Sequence, residues 1–186
     1  MIAVSTKQGG IDFILGTDLT QKGRMNAVKE GLMRILLIVD PTFIVIDPWR
    51  IQTWVNSAVW KTNPNAVIVS IKINPSRLQK LNYGNEIVNV HEGVYYLYNF
   101  SLHIIARYDW TREDELESKL AYDKANAIVT YLRGHNKDPD SGIIDIVNIT
   151  SRESDPSGGT QAGAHMARVI VEGYILAERP WRMRGA

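Results

Sequence analysis

The sequence predicts an α+β fold: one domain over residues 17–178, in which a mixed or antiparallel β-sheet packs with two main α-helices. Two segments carry apolar residues at helical spacing, and several others are β-branched or alternate with a period of two. Their order is helix, strands, long strand, helix, strand, loop, strand, which is typical of an α+β domain. A length of 186 residues fits one domain, and an apolar content of 45% is enough to form a buried core.

The first helix is predicted to begin at Thr17 or Asp18, because either side chain can cap a helix N-terminus. It is predicted to end at Asp40-Pro41, since a residue before proline avoids helical backbone angles. Apolar residues recur every three or four positions and define one buried face: Met25, Val28, Leu32 and Leu36. Gly23 and Gly31 each cost about 1 kcal/mol relative to alanine, so tertiary packing must stabilise this helix.

Short elements are expected between this helix and the longest strand. Residues 43–46 and 66–73 are rich in β-branched side chains and predict strands, and residues 86–90 predict a weaker one. Residues 75–81 predict a short helical turn with proline at its first position. The segment 49–60 contains three tryptophans, Trp49, Trp54 and Trp60. We expect them in the core or in a subunit interface, in preference to a platform for stacking bases.

The clearest strand is predicted over residues 94–108. One face is apolar throughout, at a period of two: Val94, Tyr96, Tyr98, Phe100, Leu102, Ile104, Ala106 and Tyr108. The other face is mixed and carries His103, which we expect to be a surface or interface residue and not a metal ligand. Strands usually have about five or six residues, so this one is predicted to project beyond its own domain or to carry a bulge.

The second helix is predicted to begin at Thr111, which forms an approximate capping box with Asp114. Acidic residues suit the positive end of the helix dipole: Glu113, Asp114, Glu115 and Glu117. A solvated helix N-terminus explains them better than paired acid–base catalysis does. The buried face is predicted to contain Leu116, Leu120, Ala121, Ala125, Ile128 and Leu132. Gly134 is expected to stop the helix in the left-handed conformation, next to Arg133.

The remaining segments predict two more strands, a loop and two arms. Residues 143–150 and Met166–Glu178 predict the last strands. Residues 151–163 are rich in Ser, Asp, Gly and Pro, and predict a long polar loop. We expect a flexible N-terminal arm over 1–16 and a basic C-terminal tail over 179–186. The loop and both arms are expected to become ordered on contact with partners.

Composition and motifs exclude several classes of function. The chain has no cysteine, which excludes disulfides, thiolate catalysis and cysteine-bound metals. Its four histidines lack metal-ligand spacing, and neither a nucleophile elbow nor a phosphate-binding glycine loop occurs. We therefore expect no enzymatic activity, no cofactor and no bound metal.

Contacts with other macromolecules are the alternative source of function. A net charge of +1 argues against a protein that mainly neutralises nucleic-acid phosphates, so no sequence-specific nucleic acid is expected. The most apolar run, 35–46, is interrupted by Asp40-Pro41 and is too short to span a membrane.

Six residues are expected to make partner contacts: Arg152, Glu153 and Asp155 in the loop, and Trp181, Arg182 and Arg184 in the tail. The tail has the residue types that stack on a base and contact phosphate, but packing on a neighbouring subunit is the preferred interpretation.

The order of elements resembles that of the tail terminator (tail completion) proteins, a neck protein family of tailed bacteriophages. The similarity includes the N-terminal helix, the strand at 66–73, and the long strand that leads through Asp109-Trp110-Thr111 into an acidic-capped helix. It continues into paired closing strands at 143–150 and 168–177, and it covers about residues 18–180. The segment 49–60 and the loop 151–163 depart from a minimal member.

The resemblance implies a virion structural protein, assembled in the host cytoplasm. Such a subunit forms a ring, expected to be a homohexamer, that caps the tail tube protein and docks it to the head–tail connector or stopper protein. Rings need heterologous interfaces that close by rotation, and the long strand is a candidate for pairing across subunits. The alternatives are another head–tail joining, head-completion or tail tube protein, a nucleic-acid-binding adaptor, and an unrecognised hydrolase.

Overall fold

The computed structural model describes residues 21–76, 80–83, 86–89, 95–107, 116–154 and 166–178. The helices are α1 (Gln21–Val39), α2 (Ile51–Val55), α3 (Ala58–Thr62) and α4 (Leu116–Gly134), with 3-10 turns at Pro48–Arg50 and Pro139–Ser141. The strands are β1 (Ile44–Ile46), β2 (Val67–Pro75), β3 (Lys80–Tyr83), β4 (Glu86–Asn89), β5 (Tyr95–Arg107), β6 (Ile143–Ser154) and β7 (Met166–Glu178). The caps predicted at Thr17, Asp18 and Thr111, and both terminal arms, lie outside the described residues.

Five of these strands form one mixed sheet in the order β1–β2–β5–β7–β6, and β3 pairs with β4 separately. β1 runs parallel to β2, whereas the other pairings in the large sheet are antiparallel. The predicted α+β class with a mixed sheet is therefore confirmed. The strands predicted at 43–46, 66–73 and 86–90 are confirmed as β1, β2 and β4.

The long strand is the centre of this sheet, and the prediction that it projects or carries a bulge is wrong. All nine residues of β2 pair with β5 in one uninterrupted register. On the other side, β7 pairs with β5 from Tyr95 to Arg107, also without a break. One edge of β5 is thus occupied along its whole length and the other over residues 98–106, which leaves little edge for pairing with another subunit. The bulges lie in β6, where the register shifts before Asp145 and again before Thr150.

Helices α1 and α4 cover one face of the sheet and form the main core with it. Val28, Leu32 and Leu36 of α1 are fully buried, as the sequence predicts. The buried residues of α4 include Ala121, Ala125, Ile128 and Leu132. Alternate residues of the strands lie opposite them, among them Val69, Leu102, Ile104 and Val171. The predicted apolar faces of both helices and of β5 are confirmed for the described side chains.

A carboxylate at the end of α1 is joined to the middle of α4. Asp40, directly after α1, accepts hydrogen bonds from the backbone N–H of Thr42 and from Lys124 Nζ of α4, the latter at 2.7 Å. Partial burial by itself would raise the pKa of Asp40, but the hydrogen bonds from Lys124 and Thr42 outweigh it and lower the pKa below 3.8. The first helix ends where Asp40-Pro41 predicts, and this contact attaches its end to α4.

A smaller core lies on the opposite face of the sheet, at one end. Trp60 of α3 is 1% exposed and packs with Val55, Ile68 and Ile105. Ser57 begins α3 as its N-cap, because its hydroxyl accepts a hydrogen bond from the Trp60 N–H. The expectation of core tryptophans therefore holds for Trp60, whereas Trp49 is 71% exposed. The tryptophan segment covers only this end of the face.

Two further local predictions are wrong because strand pairing extends beyond the sequence signal. Pro75 ends β2 opposite Tyr98, and the next N–H donates to Leu97 O at 2.9 Å, so no helical turn begins at this proline. Residues 80–83 belong to β3. The predicted loop also starts too early, since residues 151–154 belong to β6 and pair with β7. The rest of that loop lies outside the described residues.

Gly134 does not adopt the left-handed conformation that the sequence predicts. It is the last helical residue of α4, and the next N–H, that of His135, still donates to Tyr131 O. Among the described glycines, positive φ occurs at Gly142, with φ of 77°. Gly142 closes the 3-10 turn ahead of β6, where the chain reverses more sharply than it does after α4.

Gly31 allows this 3-10 turn to approach α1. A Cβ at position 31 would lie 2.6 Å from Asp138 Oδ2 and even closer to the Ser141 hydroxyl. The turn is then held against the helix by Arg34, which donates to Asp138 at 3.0 Å, and by Arg24, which donates to Ser141 O. The glycine that weakens α1 by propensity therefore makes its tertiary contact possible.

Replacing Gly31 by alanine should lower the free energy of unfolding by about 1–3 kcal/mol, because the added methyl group overpacks the contact with the turn. The matched control is Gly134→Ala, where a Cβ would meet no atom within 4 Å. That variant should gain up to about 1 kcal/mol from helix propensity. Urea unfolding of both variants measures the difference, and equal effects would contradict the packing role of Gly31.

Candidate functional site: the polar face of the sheet

The face of the sheet that α1 and α4 do not cover carries a group of charged and polar side chains. Beyond the end covered by α2 and α3, the outward residues of β2, β5, β6 and β7 include Lys72, Ser101, His103, Arg152, Arg168 and Glu172. We call these six residues the polar face. Lys72 and Arg152 are exposed, and the other four are half-buried. Side chains alternate across a strand, so the apolar core on one side fixes the direction of these residues on the other.

The strand register sets the order of the charges. One row of neighbours across the sheet consists of Lys72, Ser101, Glu172 and Thr150. The next row consists of Ser70, His103, Ile170 and Arg152. Arg168 lies two residues before Ile170, on the same face. Residues far apart in the sequence are thus brought within one or two strand spacings of His103.

Arg152 and Glu172 form an ion pair across β6 and β7. Arg152 Nε and a terminal guanidinium nitrogen donate to the two carboxylate oxygens of Glu172, both at 3.2 Å. The hydrogen bond from Arg152 to Glu172 raises the pKa of the arginine. The side chains are 59% and 40% exposed, so solvent screens the pair and it adds little to stability. Its main effect is to fix the position of both charges on the surface.

His103 is the half-buried centre of the polar face. Its Nε2 lies 2.9 Å from Ser101 Oγ. Burial lowers the pKa of His103 below 6.5, and the nearby cation of Arg168 lowers it further, while Glu172 acts in the opposite direction. The imidazole is therefore neutral at pH 7. The neighbouring Ser70 hydroxyl is completely buried and has no hydrogen-bond partner among the described residues.

The contact between Ser101 and His103 is one part of a nucleophilic site, but further groups are needed. A triad requires a third residue that orients the imidazole, and donors that stabilise an oxyanion. Within the described part of the chain, the ring of His103 is hydrogen-bonded to Ser101 and to no carboxylate. The lowered pKa also weakens the imidazole as a general base. What the described residues of this face offer is fixed charge, from its arginines, lysine and glutamate, and hydrogen-bonding groups.

The structure includes one of the six predicted contact residues in this face. Arg152 is on β6, in the polar face. Glu153 also belongs to β6, but its side chain is not among those described. The other four, Asp155, Trp181, Arg182 and Arg184, lie outside the described residues. The grouping of loop and tail contacts therefore stays a prediction.

Sequence reasoning missed Lys72, Arg168 and Glu172. The alternation in 168–174 was a usable signal for the last two, because Arg168, Ile170, Glu172 and Tyr174 occupy every second position. The sequence predicts the strand at Met166–Glu178, but it does not indicate which face of that strand the helices leave uncovered.

Several large apolar side chains are exposed elsewhere. They are Leu37 and Ile38 near the end of α1, Trp49 in the 3-10 turn and Val59 in α3, at 42%, 65%, 71% and 52% exposure. The guanidinium of Arg50 lies 4.7 Å from the centre of the Trp49 ring, a cation–π distance. Exposed aromatic and aliphatic residues of this kind are common in protein interfaces.

Comparison with known proteins gives no assignment: no family model matches the chain, and neither does any curated protein. Within the described ranges, no three His, Cys, Asp or Glu residues are grouped so that they could hold a metal ion. In the same part of the chain, no helix is both long enough and apolar enough to cross a membrane.

The pKa of His103 predicts a pH dependence of stability. The unfolded chain binds a proton at His103 near pH 6.5, whereas the folded protein binds it only at lower pH. The contribution of neutral His103 to the free energy of unfolding is therefore complete above about pH 6.5. It is lost as the pH falls through the pKa that His103 has in the folded protein. His103→Gln should retain more of its stability on acidification than the wild type does. Urea unfolding across this pH range tests it, with His135→Gln as the control for removing an exposed histidine, and parallel curves for His103→Gln and wild type would contradict it.

Proposed function

We propose that this chain is a virion structural protein of the tail terminator type, which forms a ring, expected to be a hexamer, in the neck of a tailed bacteriophage. The ring would cap the tail tube and dock it to the head–tail connector. The proposal is supported by the resemblance in element order over about residues 18–180. The fold class observed here is the one that this resemblance requires.

The observation that carries the proposal is the two-sided sheet. One face is buried under α1 and α4, while the other carries the charged, half-exposed polar face. The side chains of the polar face have fixed positions because they lie on paired strands. Arginine is enriched in protein interfaces, and so are aromatic side chains such as the exposed Trp49 elsewhere in the molecule. An assembly subunit needs such a surface, and it needs no bond chemistry.

The sheet edges support assembly through faces in preference to strand pairing between subunits. β1 has only three residues, and β6 is bulged at two places. Short or bulged edge strands are poor templates for pairing with another chain. Cross-subunit pairing of β5 is not part of the proposal, because β7 occupies one of its edges throughout and β2 occupies residues 98–106 of the other.

The purified protein should form a closed ring, since heterologous contacts that close by rotation give rings of fixed size. Native mass spectrometry should detect six copies of the 21.0 kDa chain, and negative-stain images should show rings. Adding the ring to a growing tube of the cognate tail tube protein should stop elongation. A chain that remains monomeric at every concentration, alone and with tube protein, would contradict the proposal.

The C-terminal tail should contribute to this assembly. Changing Trp181, Arg182 and Arg184 together to alanine should weaken ring formation, because tryptophan and arginine supply much of the binding energy in interfaces. The fold should be preserved, with an unchanged circular dichroism spectrum. The control is the pair Lys119→Ala and Lys137→Ala, which removes two exposed charges elsewhere. Equal assembly of the tail variant and the control would contradict a role of the tail.

A further inference from the structure

The polar face carries more cations than carboxylates. It contains three permanent cations, on Lys72, Arg152 and Arg168, and a single carboxylate, on Glu172. Arg152 engages both oxygens of that carboxylate. Lys72 and Arg168 form no ion pair among the described residues. Two cations on a rigid sheet surface are therefore left for an anionic partner.

The same chain also carries the complementary charge. The complete sequence has a net charge of +1. The polar face alone accounts for a surplus of two positive charges, so the remainder of the chain is slightly acidic. Its densest acidic run is Glu113, Asp114, Glu115 and Glu117. This run leads into α4, which begins at Leu116.

The topology places α4 and the polar face on opposite sides of the sheet. The buried residues of α4 pack on the face of the sheet that carries the main core. The polar face lies on the other side, so the point at which the acidic run joins α4 is across the sheet from Lys72 and Arg168. One molecule thus presents positive charge on one side of the sheet and carries, on the other, the helix into which the acidic run leads along the chain.

We propose that the polar face of one copy binds the acidic segment 113–117 of a second copy, in a head-to-tail contact. This rests on the proposed ring function and supplies an interface for it. A two-fold symmetric contact through the polar face would bring identical cations towards each other, which is unfavourable. A head-to-tail contact places opposite charges together, and its repetition around an axis closes a ring.

A charge-exchange experiment tests this contact. The first variant, Lys72→Glu with Arg168→Glu, reverses the polar face. The second variant, Glu113→Lys with Asp114→Lys and Glu115→Lys, reverses the acidic segment. Each should weaken assembly by about tenfold or more, since it opposes like charges, and combining both in one chain should restore assembly. Sedimentation velocity and native mass spectrometry measure the ring fraction.

Two further variants separate loss of the contact from loss of the fold. Lys72→Gln with Arg168→Gln removes the charges without reversing them, and should give a smaller loss of assembly with an unchanged thermal unfolding midpoint. Lys137→Glu reverses one exposed charge that lies outside the polar face and far along the chain from the acidic segment, and should assemble as the wild type does. Wild-type assembly should also weaken as salt is raised, because exposed charges are screened.

The outcomes distinguish this inference from the proposed function. The head-to-tail contact is wrong if the wild type forms rings and both reversed variants form them equally well. It is also wrong if the combined variant does not recover assembly. In either case the ring function stands. If the wild type forms no ring, the proposed function fails first. Binding of a DNA duplex that is lost on reversing the polar face, with no recovery in the combined variant, would overturn the contact and assign this surface to a nucleic acid.

Discussion

The antiparallel pairing of β5 with both β2 and β7 is the constraint on which the rest of the structure depends. β5 has thirteen residues, and every one of them is paired with β7. Because alternate side chains point to opposite faces, this register determines two sets of residues at once. One set, which includes Leu102 and Ile104, forms the core under α1 and α4. The other set, which includes Ser101 and His103, is directed to the far side, where α2 and α3 cover only one end.

The two faces of the sheet therefore have different physical roles. The covered face supplies most of the folding free energy, since burial of apolar surface is the dominant favourable term. The polar face keeps a half-buried imidazole and a surplus of cations, and beside it lies the buried Ser70 hydroxyl, which has no hydrogen-bond partner among the described residues. Such groups cost stability and add little to the core. This is the surface proposed above to contact a partner, and the rigidity of paired strands keeps its charges in a fixed pattern.

Much of the fold follows from local patterns, and the failures have a common cause. The faces of α1 and α4, and the strands at β2, β5 and β7, follow from periodicity, because a core selects the residues that point into it. The predictions of a helical turn at Pro75 and of a loop at residues 151–154 were wrong. The partner strand determines where a strand ends, and the local sequence carries no information on how long that partner is. Gly134 was misjudged because the helical hydrogen bonding of α4 continues past it, with the His135 N–H still donating to Tyr131 O. Of the polar face, only His103 and Arg152 were singled out beforehand.

The sequence by itself determined the α+β class, the two amphipathic helices and the alternation of the long strand, because these depend on spacing within a single segment. The tertiary structure alone decided that the long strand is central, that its mixed face is the one α1 and α4 leave uncovered, and that Lys72, Arg152, Arg168 and Glu172 surround His103. These residues come from three strands other than β5, and only pairing between distant segments brings them together. Periodicity assigns a residue to a face of its own strand, whereas the choice of which face a helix covers depends on the packing of the whole chain.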